Sequence, residues 1–183
     1  MVREPWQDVR RVVALLGRTA EEVATWKPAL TLLRRRLPGR ALTVVATPDA
    51  SATAERLALA DVVLHPSPHG LLSTLPAALG SAERLAREQW ALVQHLRAHQ
   101  FDAAFVFSPP GESPYPLAYA CYLAGIPVRC GTSIEFGGGV LTHWVKPLRA
   151  PDAPEQHHAH LVRAVLGDGT AEVSTPRRAE AAP

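Results

Sequence analysis

Cysteine is scarce: the chain of 183 residues has two, Cys121 and Cys130. They fit neither a disulfide framework nor a C-x-x-C pair, which excludes a disulfide-stapled scaffold. No uninterrupted apolar run reaches the length needed to span a bilayer. The amino-terminal segment MVREPWQDVRR is charged and has no apolar leader core, so a cytoplasmic protein is expected. Charge of one sign is also lacking: the formal net charge is +2, too small to support bulk nucleic-acid binding, and no nucleic-acid partner is expected. There is no internal repeat.

What remains is an ordinary globular composition, 47% hydrophobic and 20% charged, long enough for one full domain and short for two. Short apolar runs alternate with helical patterns. Strands are predicted at 12–16, 41–46, 61–64, 103–107 and 126–129, and helices at 20–36, 51–58, 81–99, 115–124 and 155–166. Leu37-Pro38-Gly39 stops the first helix and Gly125 the fourth. A loop rich in His, Pro, Ser and Gly occupies 65–72, and 147–154 is proline-rich and irregular. This alternation predicts an α/β fold: a single Rossmann-like domain over 1–166, with a mostly parallel sheet and helices on both faces. Residues 167–183 carry almost no apolar content and are expected to form a disordered tail. Ligands of such sheets sit at the loops beyond the carboxyl ends of the strands.

The densest pattern lies over 101–148, reading FDAAFVF, then SPYPLAYACYLAGIPVR, then GTSIEFGGGVLTHWVKPL. In that order and register it resembles the amino-terminal, acceptor-side domain of glycosyltransferase family 9. A looser match runs upstream through LTLLRRRLPG at 30–39. The family includes the heptosyltransferases of lipopolysaccharide assembly. Its enzymes pair two Rossmann-like domains in the GT-B arrangement, one taking the acceptor and the other the nucleotide sugar.

The resemblance implies the acceptor-binding half of an inverting transferase. The donor-binding motifs are not present here, so the nucleotide sugar is expected to occupy a second half, on this or a separate chain. No cofactor and no metal is expected in this half, and the expected partner is a glycan or glycolipid acceptor. The alternative is a catalytically inactive binding or scaffolding module descended from that family. An unrelated flavodoxin-like domain is a weaker alternative, since Gly17-Arg18-Thr19 carries no flavin-phosphate or dinucleotide fingerprint.

The family's general base is an aspartate in a Gly-Asp pair at the start of the first helix. Counting back from Pro28-Ala29-Leu30, that pair falls on Glu21-Glu22, so Glu22 stands in for the base and Glu21 replaces the glycine. The same residues also read as a capping box, with Thr19 as N-cap and Glu22 reaching back to it. Beyond the fourth strand, Ser108, Glu112, Ser113 and Tyr115 offer polar groups to a hydroxyl-rich acceptor. Ser113 followed by Pro114 reads equally as an N-cap with proline at the first helical position.

Ser133, Glu135, Phe136, Gly137 and Gly138 correspond to a family loop near the cleft, and His143 lies just after it. Three consecutive glycines are costly to order, which favours a binding role for the loop. It is not a phosphate loop, because the Gly-Lys-Ser/Thr ending and the following helix are missing. His157, His158 and His160 lack a carboxylate or cysteine set at metal-ligand spacing and read as a solvated helix start. Arg34, Arg35, Arg36 and Arg40 read as a solvated helix end that complements the helix dipole. The other reading of that cluster is peripheral contact with anionic headgroups at the inner face of the membrane.

Overall fold

Apolar runs with little polar alternation form the first four strands of this chain, and all the described strands lie in one sheet. The structure is a computed structural model that describes residues 6–15, 20–56, 58, 60–64, 82–135, 138–148, 154–167 and 173–174. For a few helical residues, Glu21 among them, the backbone alone is described. The strands are β1 (Arg11–Leu15), β2 (Ala41–Val45), β3 (Val62–Leu64), β4 (Ala103–Val106), β5 (Val128–Thr132), β6 (His143–Val145) and β7 (Val173–Ser174). The helices are α1 (Ala20–Arg36), α2 (Pro48–Arg56), α3 (Ala82–His99), α4 (Tyr115–Leu123) and α5 (Pro154–Leu166).

The strand order is β3-β2-β1-β4-β5-β6-β7. The pairings from β3 to β6 are all parallel, and β7 adds an antiparallel edge to β6. This is the doubly wound α/β order, with the chain reversing its direction of travel between β1 and β4. Side chains alternate across the sheet, so Val12 and Ala14 face one core while Val13 and Leu15 face the other. The first core is covered by α1 (Trp26, Ala29, Leu30, Leu33), α2 (Ala50, Ala54) and α5 (Leu161, Val162, Val165). The second is covered by α3 (Leu92, Val93, Leu96) and α4 (Ala118, Cys121). Burial on both faces is why the strands read as continuous apolar runs.

The amino edge of the sheet is closed by two aspartates. Asp102 Oδ2 accepts from the backbone N–H groups of Arg10 and Arg11, both at 2.8 Å. Asp61 Oδ2 accepts from the Leu42 N–H at 2.7 Å, and its Oδ1 lies 3.0 Å from Arg34 Nη2. The loops after β4 and β5, at 107–114 and 133–142, leave from the opposite, carboxyl edge.

Several boundaries differ from expectation for identifiable reasons. Helix α2 starts three residues early because Pro48, lacking an N–H, suits a first helical position, and the Ser51 N–H donates to Thr47 O at 2.9 Å. Strand β5 starts and ends later than expected. The Ile126 N–H is taken by Cys121 O and the Gly125 N–H by Tyr122 O, the paired bonds of a Schellman cap on α4. Pro127 then has no N–H, so the ladder begins at Val128 and continues through Gly131 and Thr132. Strand β6 was not predicted, since a three-residue His-Trp-Val segment carries little strand signal. Val173 and Ser174 of the expected tail pair with β6.

Gly125 adopts φ +83° in that cap. Gly125→Ala is expected to cost about 1–2 kcal/mol through left-handed backbone strain alone, because a Cβ there would meet no neighbouring atom within 4 Å. Urea denaturation checks this value. A neutral substitution would show that α4 does not depend on the cap.

Candidate functional site

In a doubly wound sheet the ligand crevice lies at the carboxyl edge where the strand order reverses, here between β1 and β4, with the first turn of α1 on one flank. The connecting loop 16–19, with Thr19, lies outside the described residues, as does the side chain of Glu21. Glu22 is half-buried in that first turn, and its carbonyl accepts the Thr25 hydroxyl at 2.6 Å. The other flank is the segment after β4. The Phe107 N–H donates to Leu15 O at 3.1 Å, extending the β1–β4 pairing by one residue. Pro109-Pro110-Gly111-Glu112 then makes a turn closed by Glu112 N–H to Pro109 O at 3.0 Å, with Gly111 at φ +84°. Proline followed by a left-handed glycine is the requirement of a type II turn. The turn sets half-buried Ser108 and Glu112 on either side of its bend.

Ser113 lies just ahead of α4, whose N-cap position falls on Pro114 and carries no side-chain cap bond; the Ser113 Oγ accepts the Tyr115 N–H at 3.3 Å. Tyr115 reaches across to the next loop, and its hydroxyl donates to Glu135 O. Ser133 holds that loop from the other side. Its N–H donates to Val145 O at 3.0 Å, its carbonyl accepts Trp144 Nε1–H at 2.8 Å, and its Oγ accepts the Glu135 N–H at 3.1 Å. Tyr115 and Ser133 therefore shape the loop, while the Glu135 side chain is exposed at its tip beside exposed Ile134. Phe136 and Gly137 lie outside the described residues. Ser108, Glu112, Ser113, Tyr115, Ser133 and Glu135 thus share one edge of the sheet with Glu22.

Gly138 and Gly139 take φ +60° and +85°. A Cβ on either would meet no atom within 4 Å, so they serve the backbone turn rather than a close approach. The turn brings the carbonyls of Gly139 and Val140 onto the Arg129 guanidinium. Nε donates to Val140 O at 2.6 Å, Nη2 to Gly139 O at 3.2 Å, and Nη1 to the carbonyls of Ile126 and Pro127. The guanidinium also lies over the Tyr122 ring, 5.3 Å from its centroid. Arg129 is buried, and that burial lowers its pKa. It clamps the ten-residue return from β5 to β6 (133–142), and sequence reasoning missed it because an arginine in a short strand carries no signal of its partners. The return also runs close over β5: a Cβ on Gly131 would come within 3.1 Å of Leu141.

His143 stands apart from the edge group. It sits at the amino end of β6, paired with Cys130, buried against Trp6 at a ring distance of 5.7 Å. Burial lowers its pKa. His158, expected as a solvated residue, is instead 3% exposed. Its Nε2 accepts Trp26 Nε1–H at 2.8 Å, which places its own proton on Nδ1. The Phe107 ring meets it edge-on at 5.4 Å. Burial, with a smaller contribution from His157, pushes the His158 pKa down to about 3. No group of metal-ligating side chains occurs among the described residues.

The arginine cluster disperses. Arg34 joins Asp61, Arg36 donates to Gly167 O at 2.9 Å, and Arg40 donates to Val9 O and Pro38 O. No helix among the described residues is long and apolar enough to cross a membrane.

The glycosyl transferase family 9 structure from Veillonella parvula DSM 2008 superposes at a TM-score of 0.64, with 15% identity over 86% of this chain and 41% of that one. ADP-heptose LPS heptosyltransferase II of E. coli superposes at 0.56, with 18% identity over 83% of this chain and 40% of that one. The chain shares its fold with glycosyltransferase family 9 structures. It spans about two fifths of their length. No protein-family model and no curated protein matches the sequence.

Proposed function

We propose that this chain is the acceptor-binding half of an inverting, nucleotide-sugar-dependent glycosyltransferase of family 9 type, acting on a glycan or glycolipid acceptor. The observation that supports the proposal is topological: Glu22 lies in the first turn of α1, which follows β1, and 108–115 follows β4, the neighbouring strand at which the sheet order reverses. In this reaction the Glu22 carboxylate takes the proton of an acceptor hydroxyl. The freed oxygen attacks the anomeric carbon of the donor sugar from the face opposite the nucleoside diphosphate, which leaves with the bonding electron pair. Ser108, Glu112 and Glu135 orient the acceptor through hydrogen bonds, and Tyr115, Ser113 and Ser133 hold the two loops in place. The donor binds a second half, and the complete site forms where the halves meet.

Glu21-Glu22 standing where the family has Gly-Asp favours a second reading, a binding module without transfer activity. A residue other than glycine gives up the close backbone approach that glycine permits, and Glu22 is one methylene longer than the aspartate it replaces. One assay separates the two. In the chain combined with a nucleotide-sugar-binding half, Glu22→Gln is expected to lower turnover by about 10²–10⁴-fold with the fold intact. Unchanged turnover would remove Glu22 as the base, and no transfer by the unsubstituted pair would favour the binding module.

A further inference from the structure

Three consecutive arginines end α1, and the structure sends them in three directions. Arg34 goes to Asp61 and Arg36 to the Gly167 carbonyl, while Arg35 turns into a groove between α1 and α5. The groove has a volume of about 320 Å³ and is lined by Lys27, Pro28, Thr31, Leu32, Arg35 and Arg163. Lys27, Thr31 and Arg35 recur every four residues and so line one face of α1, and Arg163 faces them from α5. Among the described residues no aspartate or glutamate lines the groove. All three cationic side chains are exposed, and they converge with no counter-charge among the described lining residues, over an apolar floor of Pro28 and half-buried Leu32.

We infer that this groove is a binding site for a phosphate group. Two guanidinium forks and one ammonium match the oxygens of a phosphate ester or diphosphate, the forks through paired N–H donors and the ammonium as a point charge. The Thr31 hydroxyl supplies a further donor. A dianion relieves the mutual repulsion of the three cations, and the apolar floor strengthens each attraction by excluding water from one side. The volume suits a small phosphorylated group and is too small for a large ligand. The groove runs along the outer surface of α1 and α5, away from the carboxyl-edge crevice, so it is independent of the proposed transfer reaction. The phosphate has two sources, a soluble compound or a lipid headgroup.

The test is a titration with inorganic pyrophosphate, followed by amide NMR shifts, on the whole chain and on the triple variant Lys27→Gln, Arg35→Gln, Arg163→Gln. The expected result is saturable shifts along residues 27–35 and around 163, with binding weakened by about tenfold or more in the variant. Because the three side chains are exposed, the variant retains its fold, and Lys146→Gln controls for a charge lost elsewhere. A second arm measures co-sedimentation with phosphatidylcholine vesicles, with and without phosphatidic acid. Retention on the acidic vesicles alone, lost in the triple variant, assigns the phosphate to a headgroup. Pyrophosphate binding without vesicle retention assigns it to a soluble compound. Absence of binding in both arms, or equal binding by the triple variant, overturns the site.

Discussion

Lowering the pH from 7 to 5 is expected to remove roughly 2 kcal/mol of folding stability through His158 alone, at about 1.4 kcal/mol per pH unit below its unfolded pKa. The folded pKa is depressed to about 3, against an ordinary value of 6.5, so the unfolded chain takes up the proton first. Stability contributed by neutral His158 is therefore essentially complete above pH 6.5 and is lost as the pH falls toward 3, the loss reaching roughly 5 kcal/mol at the lower end. The cause is geometric. Protonating Nε2 removes the acceptor of the Trp26 indole and places a charge among Phe107, Trp26 and α5. His95, His143 and His157 are lowered for the same principal reason, burial, and act in the same direction. Denaturant midpoints at pH 7, 6 and 5 measure the slope. His158→Gln keeps an acceptor for Trp26 and should be less stable at pH 7 but flatter between pH 7 and 5. An identical slope in the variant would exclude His158 as its source.

Replacing Arg129 is expected to be still more damaging at neutral pH. Arg129→Met leaves the carbonyls of Ile126, Pro127, Gly139 and Val140 without their common donor. Hydrogen bonds from a charged donor are worth about 1.5–3 kcal/mol each, and relief of the buried charge offsets part of that sum, leaving a net loss of about 3 kcal/mol or more. Arg129→Lys keeps the charge but offers one nitrogen in place of a fork, and should fall between methionine and the unsubstituted chain. The loss should appear as lower urea stability and as faster amide exchange through 138–142, where the clamp fixes the return to β6. A methionine variant within about 1 kcal/mol of the original would show that the carbonyls find water instead.

The fold was legible because its strands are buried on both faces, and a short apolar run such as Val12-Val13-Ala14-Leu15 needs no neighbour to be recognised. Helix α1 was legible end to end because Leu37-Pro38-Gly39 stops it, with Gly39 at φ +73°. Strand β6 was not, since its three residues are specified by pairing with β5 rather than by their own pattern. The edge group was legible in part. The sequence places Ser113 and Pro114 at the start of α4, where the N-cap falls on Pro114 rather than Ser113, and the engagement of Tyr115 and Ser133 in the loop's own hydrogen bonds depends on contacts 20 and 11 residues away in sequence. His158 was misread as solvated because a histidine at a helix start looks polar until its cover is known. That cover is Trp26, and no local pattern links the two. Thr19, Phe136, Gly137 and the 65–72 loop lie outside the described residues.

The pairing of α1 with α5 has a consequence for biosynthesis. The two helices run alongside each other, joined by Trp26–His158 near one end and Arg36–Gly167 at the other. Trp26 and His158 are separated by 132 residues, which a ribosome adding about 5–20 residues per second takes roughly 7–26 s to deliver. Through that interval the strip of Trp26, Leu30 and Leu33 has lost part of its cover, while the sheet beneath it is still being supplied strand by strand. Completion of the first core therefore waits on the last helix described, and the nascent chain presents this strip to any chaperone that binds aromatic and branched apolar side chains.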